Sequence, residues 1–381
     1  MAQHPLLESG LVCGRHYRSG DAIEIRWNDG RIVSVRPTAE RDSDLPILAP
    51  AWCDLQVNGG WGISFNSPTL TIDDVHRLAA EYRRRGTVEC LPTLITASFE
   101  SIRHGLSVLR RACEESPKTA GVFVGFHLEG PYISPVDGPR GAHPLAHVRR
   151  PDWDEFCRWQ EVAAGRIRLV TLAPETEGAI PFIEKLSASK VVVALGHTGA
   201  QGEQLDAAVK AGARLSTHLG NGCHAVLPRH DNYIWQQLAD DRLAASIIAD
   251  GHHLPDSVIK AIVRVKTPQR TILVSDAGSL AGLPPGRYDA GGGELEVRSE
   301  GKIVLPGTPY LAGSAVFLDH CVKKMLRLGI TSRADTMDMA GAVPRQLLGL
   351  QPRRVEPGEP AELVVLRPTP SGDDEFDLIL G

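Results

Sequence analysis

The 381-residue chain has no apolar run near the roughly 20 residues that a membrane-crossing helix needs. Its first residues, MAQHPLLESG, lack a basic segment followed by an apolar one, so no secretory signal is expected. There is no CxxC, and the seven cysteines are odd in number and widely spaced. That usage fits reduced thiols in a cytoplasm better than a disulfide framework. No GxGxxG falls between a strand and a helix, which argues against a nicotinamide or flavin enzyme. No GxSxG occurs, which argues against a serine hydrolase. Lys and Arg are scattered and the net charge is −5, so there is no footprint for nucleic acid. The cluster Arg83-Arg84-Arg85 falls at the end of an expected helix, where it complements the helix dipole. No sequence repeat or low-complexity tract is present.

What is there reads as an ordinary globular protein, 42% hydrophobic and 23% charged. Its length suits one barrel of about 250 residues plus a smaller unit. Residues 1–48 are β-rich: AIEIRWNDGRIVSVRP places two apolar alternations around Asn28-Asp29-Gly30, a hairpin signal. PAELVVLRP near the other end is a further strand. The expected organisation is a small β-sandwich-like domain from 1–48 and 355–381, bracketing a unit at 49–354. Strand patterns in that unit are Ala51–Val57, Thr87–Ile95, Val122–His127, Ile167–Ala173, Val191–Leu195, Leu215–Thr217, Ala244–Ala249 and Thr271–Ser275. Helical spacing fills the gaps. Ile72, Val75, Leu78, Ala79 and Tyr82 follow Thr71 as N-cap and stop at Gly86. Eight alternating β and α units imply an α/β fold with a parallel sheet closed into a (β/α)₈ TIM-like barrel. The Gly-rich stretch Arg287–Leu311 reads as a hairpin insertion over the site.

Four ionisable residues sit just past apolar runs: Glu129 in GVFVGFHLEG, His197 in VVVALGHTGA, His218 in RLSTHLGN and Asp276 in TILVSDAG. Alone, a histidine at a strand end is usually structural. Four such groups at strands three, five, six and eight converge on the face where barrel active sites are built. Burying them without a shared ion would be costly. One carboxylate and two imidazoles suit a Zn²⁺-like ion with an open position, and a separate Asp is then free to move protons.

These segments, together with PAWCDLQVNGGWGISF, HLEGPYISPVDGPRGAHP, IIADGHHLP, SDAGSLAGLPPGRY and LAGSAVFLDHCV, resemble the N-acetylglucosamine-6-phosphate deacetylase family of the amidohydrolase superfamily, in family order over nearly the whole chain. The resemblance implies that Glu129, His197 and His218 bind metal and that Asp276 is the catalytic acid/base. Many superfamily members carry HxH at strand one for a second metal. Here the position reads Asp54-Leu55-Gln56-Val57-Asn58, and two amides are poor transition-metal ligands. One divalent metal per chain is therefore expected, zinc first, with iron or another divalent ion also compatible. Gln56 then resembles a substrate-contacting amide.

The implied reaction is hydrolysis of an acetamide by metal-activated water. Asp276 takes and returns the proton, and His143 of GAHP assists at the oxyanion. Acetate and an amino sugar would be the products. The family's phosphate contacts fall on Asn221 with the following backbone of Gly222, on Arg229 and on His253. In family members the Arg reaches a neighbouring subunit's site, so a homodimer is implied. The segment THLGNGCHAVLPRHDNYIW departs from the commoner THLxNAM pattern, and His224 and His230 are additions. An amidohydrolase acting on an unphosphorylated or epimeric amino sugar, such as N-acetylgalactosamine-6-phosphate, stays open on that ground. A non-catalytic barrel is disfavoured because all four ionisable residues are retained.

Overall fold

The computed structural model describes residues 9–38, 45–289, 293–308, 311–368 and 374–380. Eight parallel strands lie in one sheet: β1 (Trp52–Val57), β2 (Thr87–Ile95), β3 (Phe126–Glu129), β4 (Ile167–Leu172), β5 (Val192–Leu195), β6 (Ala213–Ser216), β7 (Ala244–Ile248) and β8 (Thr271–Val274). The sheet closes on itself where Val57 bridges Ala277 in parallel, next to the bonds Asp276 N to Gln56 O and Asn58 N to Ala277 O, each 2.9 Å. Helices alternate with the strands on the outside. Ile72–Arg84 starts at Thr71 in a capping box with Asp74. It buries Val75, Leu78, Ala79 and Tyr82, as the spacing predicts. Arg83 and Arg84 lie in its last turn.

Seven of the eight strands fall within two residues of expectation. The third does not. Val122 ends a short helix, Pro117–Val122, capped by Ser116 and opened by Pro117 at its first turn. The apolar run VFVGF therefore spans a helix end and a strand start, and β3 is displaced to Phe126–Glu129. Leu55, Leu91, Leu169, Leu215, Ile272 and Val274 pack in one buried cluster of barrel-strand residues, with Cys53 among them as a small apolar side chain.

A six-stranded sheet combines Ser9–His16, Ala22–Asn28, Arg31–Pro37 and Ile47–Pro50 with Glu362–Pro368 and Asp374–Leu380. Asp29 (φ 49°) and Gly30 (φ 70°) form the tight turn of its first hairpin, a left-handed pair of the kind such two-residue turns require. Ile47–Pro50 pairs with both Ser9–His16 and Glu362–Pro368, so this sheet runs two residues beyond the expected break at 48. The expected domain's residues 1–8, 39–44, 369–373 and 381 lie outside the described ones. Ile25, Trp27, Ile32, Leu48, Leu363 and Val365 make its core.

Between sheet and barrel runs a chain of ion pairs at the strands' N-terminal end. Glu89, early in β2, pairs with Arg345 and with Arg353 (2.8 Å). Arg353 also pairs with Glu362, which meets Arg83 at 2.5 Å. The stretch expected as a hairpin insertion at Arg287–Leu311 is part of a four-stranded antiparallel sheet, Gly286–Asp289, Glu294–Val297, Lys302–Val304 and Leu311–Ser314. Residues 290–292 and 309–310 of that stretch lie outside the described ones. Its last strand docks on the strand-eight loop: Ser314 N donates to Asp276 O at 2.9 Å, and Gly278 N to Ser314 O.

Candidate metal centre and active site

Glu129 ends β3, while His197, His218 and Asp276 each lie two residues past the ends of β5, β6 and β8. The last three turn left-handed, with φ of 51°, 31° and 48°. A side chain at positive φ is costly, and such residues persist only where their surroundings over-determine them. Here the turn aims each side chain across the barrel mouth.

Glu129 Oε1 lies 3.2 Å from His197 Nε2 and 3.1 Å from His218 Nε2, and the two Nε2 atoms are 3.1 Å apart. All three residues are buried. His197 Nδ1 sits 2.9 Å from Pro139 O. Nδ1 therefore carries the proton donated to that carbonyl, and a neutral imidazole turns its Nε2 lone pair to the cluster. His218 Nδ1 is buried with no hydrogen-bond partner among the described residues. Three electron-rich atoms packed this closely repel one another unless a cation or a proton lies between them. A tetrahedral site with bonds of 2.0–2.1 Å spaces its ligands about 3.3 Å apart, so the donor set fits a divalent ion in type and in spacing. Burial alone would raise the Glu129 carboxyl, but the two imidazoles hold it well below its ordinary range. Burial likewise opposes the His197 cation, yet its bond to Glu129 raises it overall.

His143 stands at the cluster's edge. Its ring is 4.3 Å from that of His197, and its Nδ1 is 2.8 Å from Thr96 Oγ1. Glu129, His143 and His197 each bring a ligand atom within 4.8 Å of the others, so His143 shares the donor set as well as bordering it. Burial, then the neighbouring His197, push it down to about 3, so it stands as a neutral imidazole.

Asp276 keeps part of its surface open to solvent. Asn58 Nδ2 donates to its Oδ1 at 2.7 Å, and Gln56 Nε2 donates to the same oxygen at 3.2 Å. Gln56 Nε2 also donates to Glu129 Oε1 at 2.9 Å. Burial and the facing Glu129 carboxylate raise Asp276 to about 6. Asn58, expected from the sequence only to be a poor metal ligand, is thus the nearer of the two donors to Asp276. Asp54, Gln56 and Asn58 alternate along β1 and so share its inner face; that alternation was the available signal.

Of the expected substrate contacts, His253 is partly buried, with Nδ1 2.7 Å from Asp250 Oδ2. Asp250 also accepts from the backbone N–H groups of His252 and His253. Asn221 follows His218 closely, its Nδ2 donating to His218 O at 3.2 Å. Gly222 has φ 54°, and a Cβ there would stand 2.8 Å from His197 Nδ1. A side chain at 222 would displace the imidazole, so the absence of one here suits this packing. His224 Nδ1 lies 2.9 Å from Tyr233 Oη. Arg229 and His230 are exposed on the loop that follows, outside the buried cluster.

No protein-family model matches the chain. It is 33% identical over 352 residues to the N-acetylgalactosamine-6-phosphate deacetylase of Escherichia coli O157:H7, covering 91% of each chain. It is 31% identical to the N-acetylglucosamine-6-phosphate deacetylase of Bacillus subtilis (strain 168), over 89% of this chain and 87% of that one. With the Homo sapiens N-acetylglucosamine-6-phosphate deacetylase it shares 36% identity, over 91% and 85%. Among solved structures it resembles a mutant N-acetyl-D-glucosamine-6-phosphate deacetylase from Mycobacterium smegmatis in complex with N-acetyl-D-glucosamine-6-phosphate. That likeness has a TM-score of 0.87 and 27% identity, and covers 98% of this chain and 100% of that one. Enamidase, at 14% identity and a TM-score of 0.54 over 96% and 89% of the two chains, shares the fold alone.

Proposed function

Because the chain belongs to the N-acetylglucosamine-6-phosphate deacetylases of the amidohydrolase superfamily, we propose that it hydrolyses the acetamide of N-acetylglucosamine-6-phosphate to glucosamine-6-phosphate and acetate. The observation that carries this reading is a half-open carboxylate, Asp276, tied by one oxygen to two amides beside a buried carboxylate–imidazole cluster. Glu129, His197 and His218 hold one divalent metal ion, which we take to be zinc. Such an ion supplies Lewis acidity, polarising the acyl carbonyl and acidifying water. Asp276 takes the proton of the attacking water through its untethered Oδ2 and returns it to the amine as the C–N bond breaks. His143 faces the carbonyl oxygen as charge develops there. Asn221, the Gly222 backbone and His253 bind the sugar phosphate, and Arg229 completes that site across a homodimer. No helix among the described residues is long and apolar enough to cross a membrane, and we place the enzyme in the cytoplasm.

A second reading rests on the E. coli relative, whose name carries the C4 epimer, and on the divergent segment GNGCHAVLPRH. The test is amine release by metal-loaded protein from N-acetylglucosamine-6-phosphate, N-acetylgalactosamine-6-phosphate and unphosphorylated N-acetylglucosamine. Preference for the first supports the proposal, and preference for the second moves the substrate to the epimer. Asp276→Asn should abolish turnover with metal still bound; undiminished turnover would remove Asp276 from the base role.

A further inference from the structure

We infer that Asp54 is a positioning residue for Asp276: one buried carboxylate sets the register between the first and last barrel strands, and so aligns the proton-transfer group with the amides that hold it. The inference rests on the reading of Asp276 as the base.

Asp54 is 2% exposed in the middle of β1. Its carboxylate accepts from Ser275 Oγ at 2.5 Å, from Ser275 N at 3.3 Å and from Gln56 N at 3.1 Å. Ser275 Oγ in turn accepts from Ala277 N at 3.2 Å. The hydroxyl thus bridges the residues on either side of Asp276, the one held at φ 48°. On the other side of the same carboxylate is Gln56, whose side chain donates to both Glu129 and Asp276. Among the described residues, β1 and β8 form no ladder and meet at the single bridge Val57–Ala277. Two backbone bonds, Asp276 N to Gln56 O and Asn58 N to Ala277 O, hold the seam where the base is mounted. Asp54 adds a side-chain constraint beside them, from within.

The chemistry of the position is selective. A carboxylate accepts at both oxygens, and here two backbone N–H groups and the Ser275 hydroxyl donate to it. An asparagine would turn its NH₂ toward the Ser275 hydroxyl, which would have to give up its short bond and donate to Gln56 O instead. Burial pushes Asp54 up to about 7, while Ser275 and the two backbone N–H groups pull the other way. The carboxyl is thus kept in an unfavourable place by its partners. Strained backbone at a functional site needs such support, and small misplacements of a reacting group are expensive in rate.

The test compares Asp54→Asn, Ser275→Ala and the double variant, each scored per metal-loaded chain. A misplaced base costs about 100-fold in kcat, which is the loss expected for Asp54→Asn, with KM and calorimetric binding of glucosamine-6-phosphate within about threefold of wild type. Ser275→Ala removes only the hydroxyl bridge and should lose about tenfold in kcat. The double variant should match Asp54→Asn alone, since coupled residues are not additive. Wild-type kcat in both single variants overturns the inference. A kcat loss that disappears once corrected for bound metal or folded protein overturns it too, because it makes Asp54 merely structural. Turnover retained in Asp276→Asn would instead overturn the reading of the base, so the two failures are distinguishable.

Discussion

Gln56→Leu gives a sharp test of how the site is wired. Gln56 is buried, and its Nε2 donates to Glu129 Oε1 at 2.9 Å and to Asp276 Oδ1 at 3.2 Å. Leucine keeps much of the volume and removes both bonds. Hydrogen bonds to charged groups contribute about 1.5–3 kcal/mol each; the longer of the two here is taken at about 1 and the shorter at about 2. Asp276 keeps Asn58 at 2.7 Å, and Glu129 keeps both imidazoles, so neither carboxylate is stranded. A total of about 3 kcal/mol corresponds to roughly 100-fold in kcat/KM. The assay is acetate release under subsaturating substrate, with bound metal counted on the same sample. Metal content should stay at one ion per chain, since Gln56 is an amide outside the ligand set. Gln56→Glu should be worse near neutrality, because it places a third carboxylate between two others. Gln56→Leu within threefold of wild type would refute the reasoning, because the amide would then bear on neither carboxylate during the reaction.

The other predictions concern stability. Arg353→Leu leaves Glu89 and Glu362 each short of a partner in the ion chain below the barrel. Breaking such a buried pair costs about 3–5 kcal/mol, or roughly 4–6 °C of Tm at the ~0.8 kcal/mol/K expected for 381 residues. Calorimetry should show that loss while kcat/KM at 25 °C is unchanged, because this end of a barrel is for stability and the other for chemistry. Removing metal with a chelator should abolish turnover and also lower Tm. At a thousandfold excess of ion over Kd the lost stabilisation is about 4 kcal/mol, again roughly 5 °C; an unchanged Tm would mean that the cluster of Glu129, His197 and His218 holds no ion.

Much of this architecture could be read from the chain because parallel barrel strands are short apolar runs with helices at regular intervals. Each strand's functional residue comes just after its run, so Glu129, His197, His218 and Asp276 could be picked out before any contact was known. The third strand was misplaced because VFVGF is apolar on both sides of a helix end, and an apolar run without alternation does not distinguish helix from strand. The extra sheet after β8 was underestimated because its strands are three or four residues long and broken by glycine. What convergence alone reveals was illegible: that His143 leans on Thr96, that Asn58 rather than Gln56 is the nearer donor to Asp276, and that Asp54 reaches Ser275 across 221 positions. Sequence gives the order of such groups and not their distances.

The six-stranded sheet also ties folding to time. Its strand Ile47–Pro50 is made early, while its antiparallel neighbour Glu362–Pro368 follows more than three hundred residues later. At 5–20 residues per second that gap lasts roughly 15–60 s. Throughout it, one flank of Ile47–Pro50 presents bare N–H and C=O groups, a template for pairing with another nascent chain. The barrel is synthesised entirely inside this interval. The speed of translation through the barrel therefore sets how long each new chain carries an open edge, and slow synthesis should favour association between neighbouring ribosomes' products.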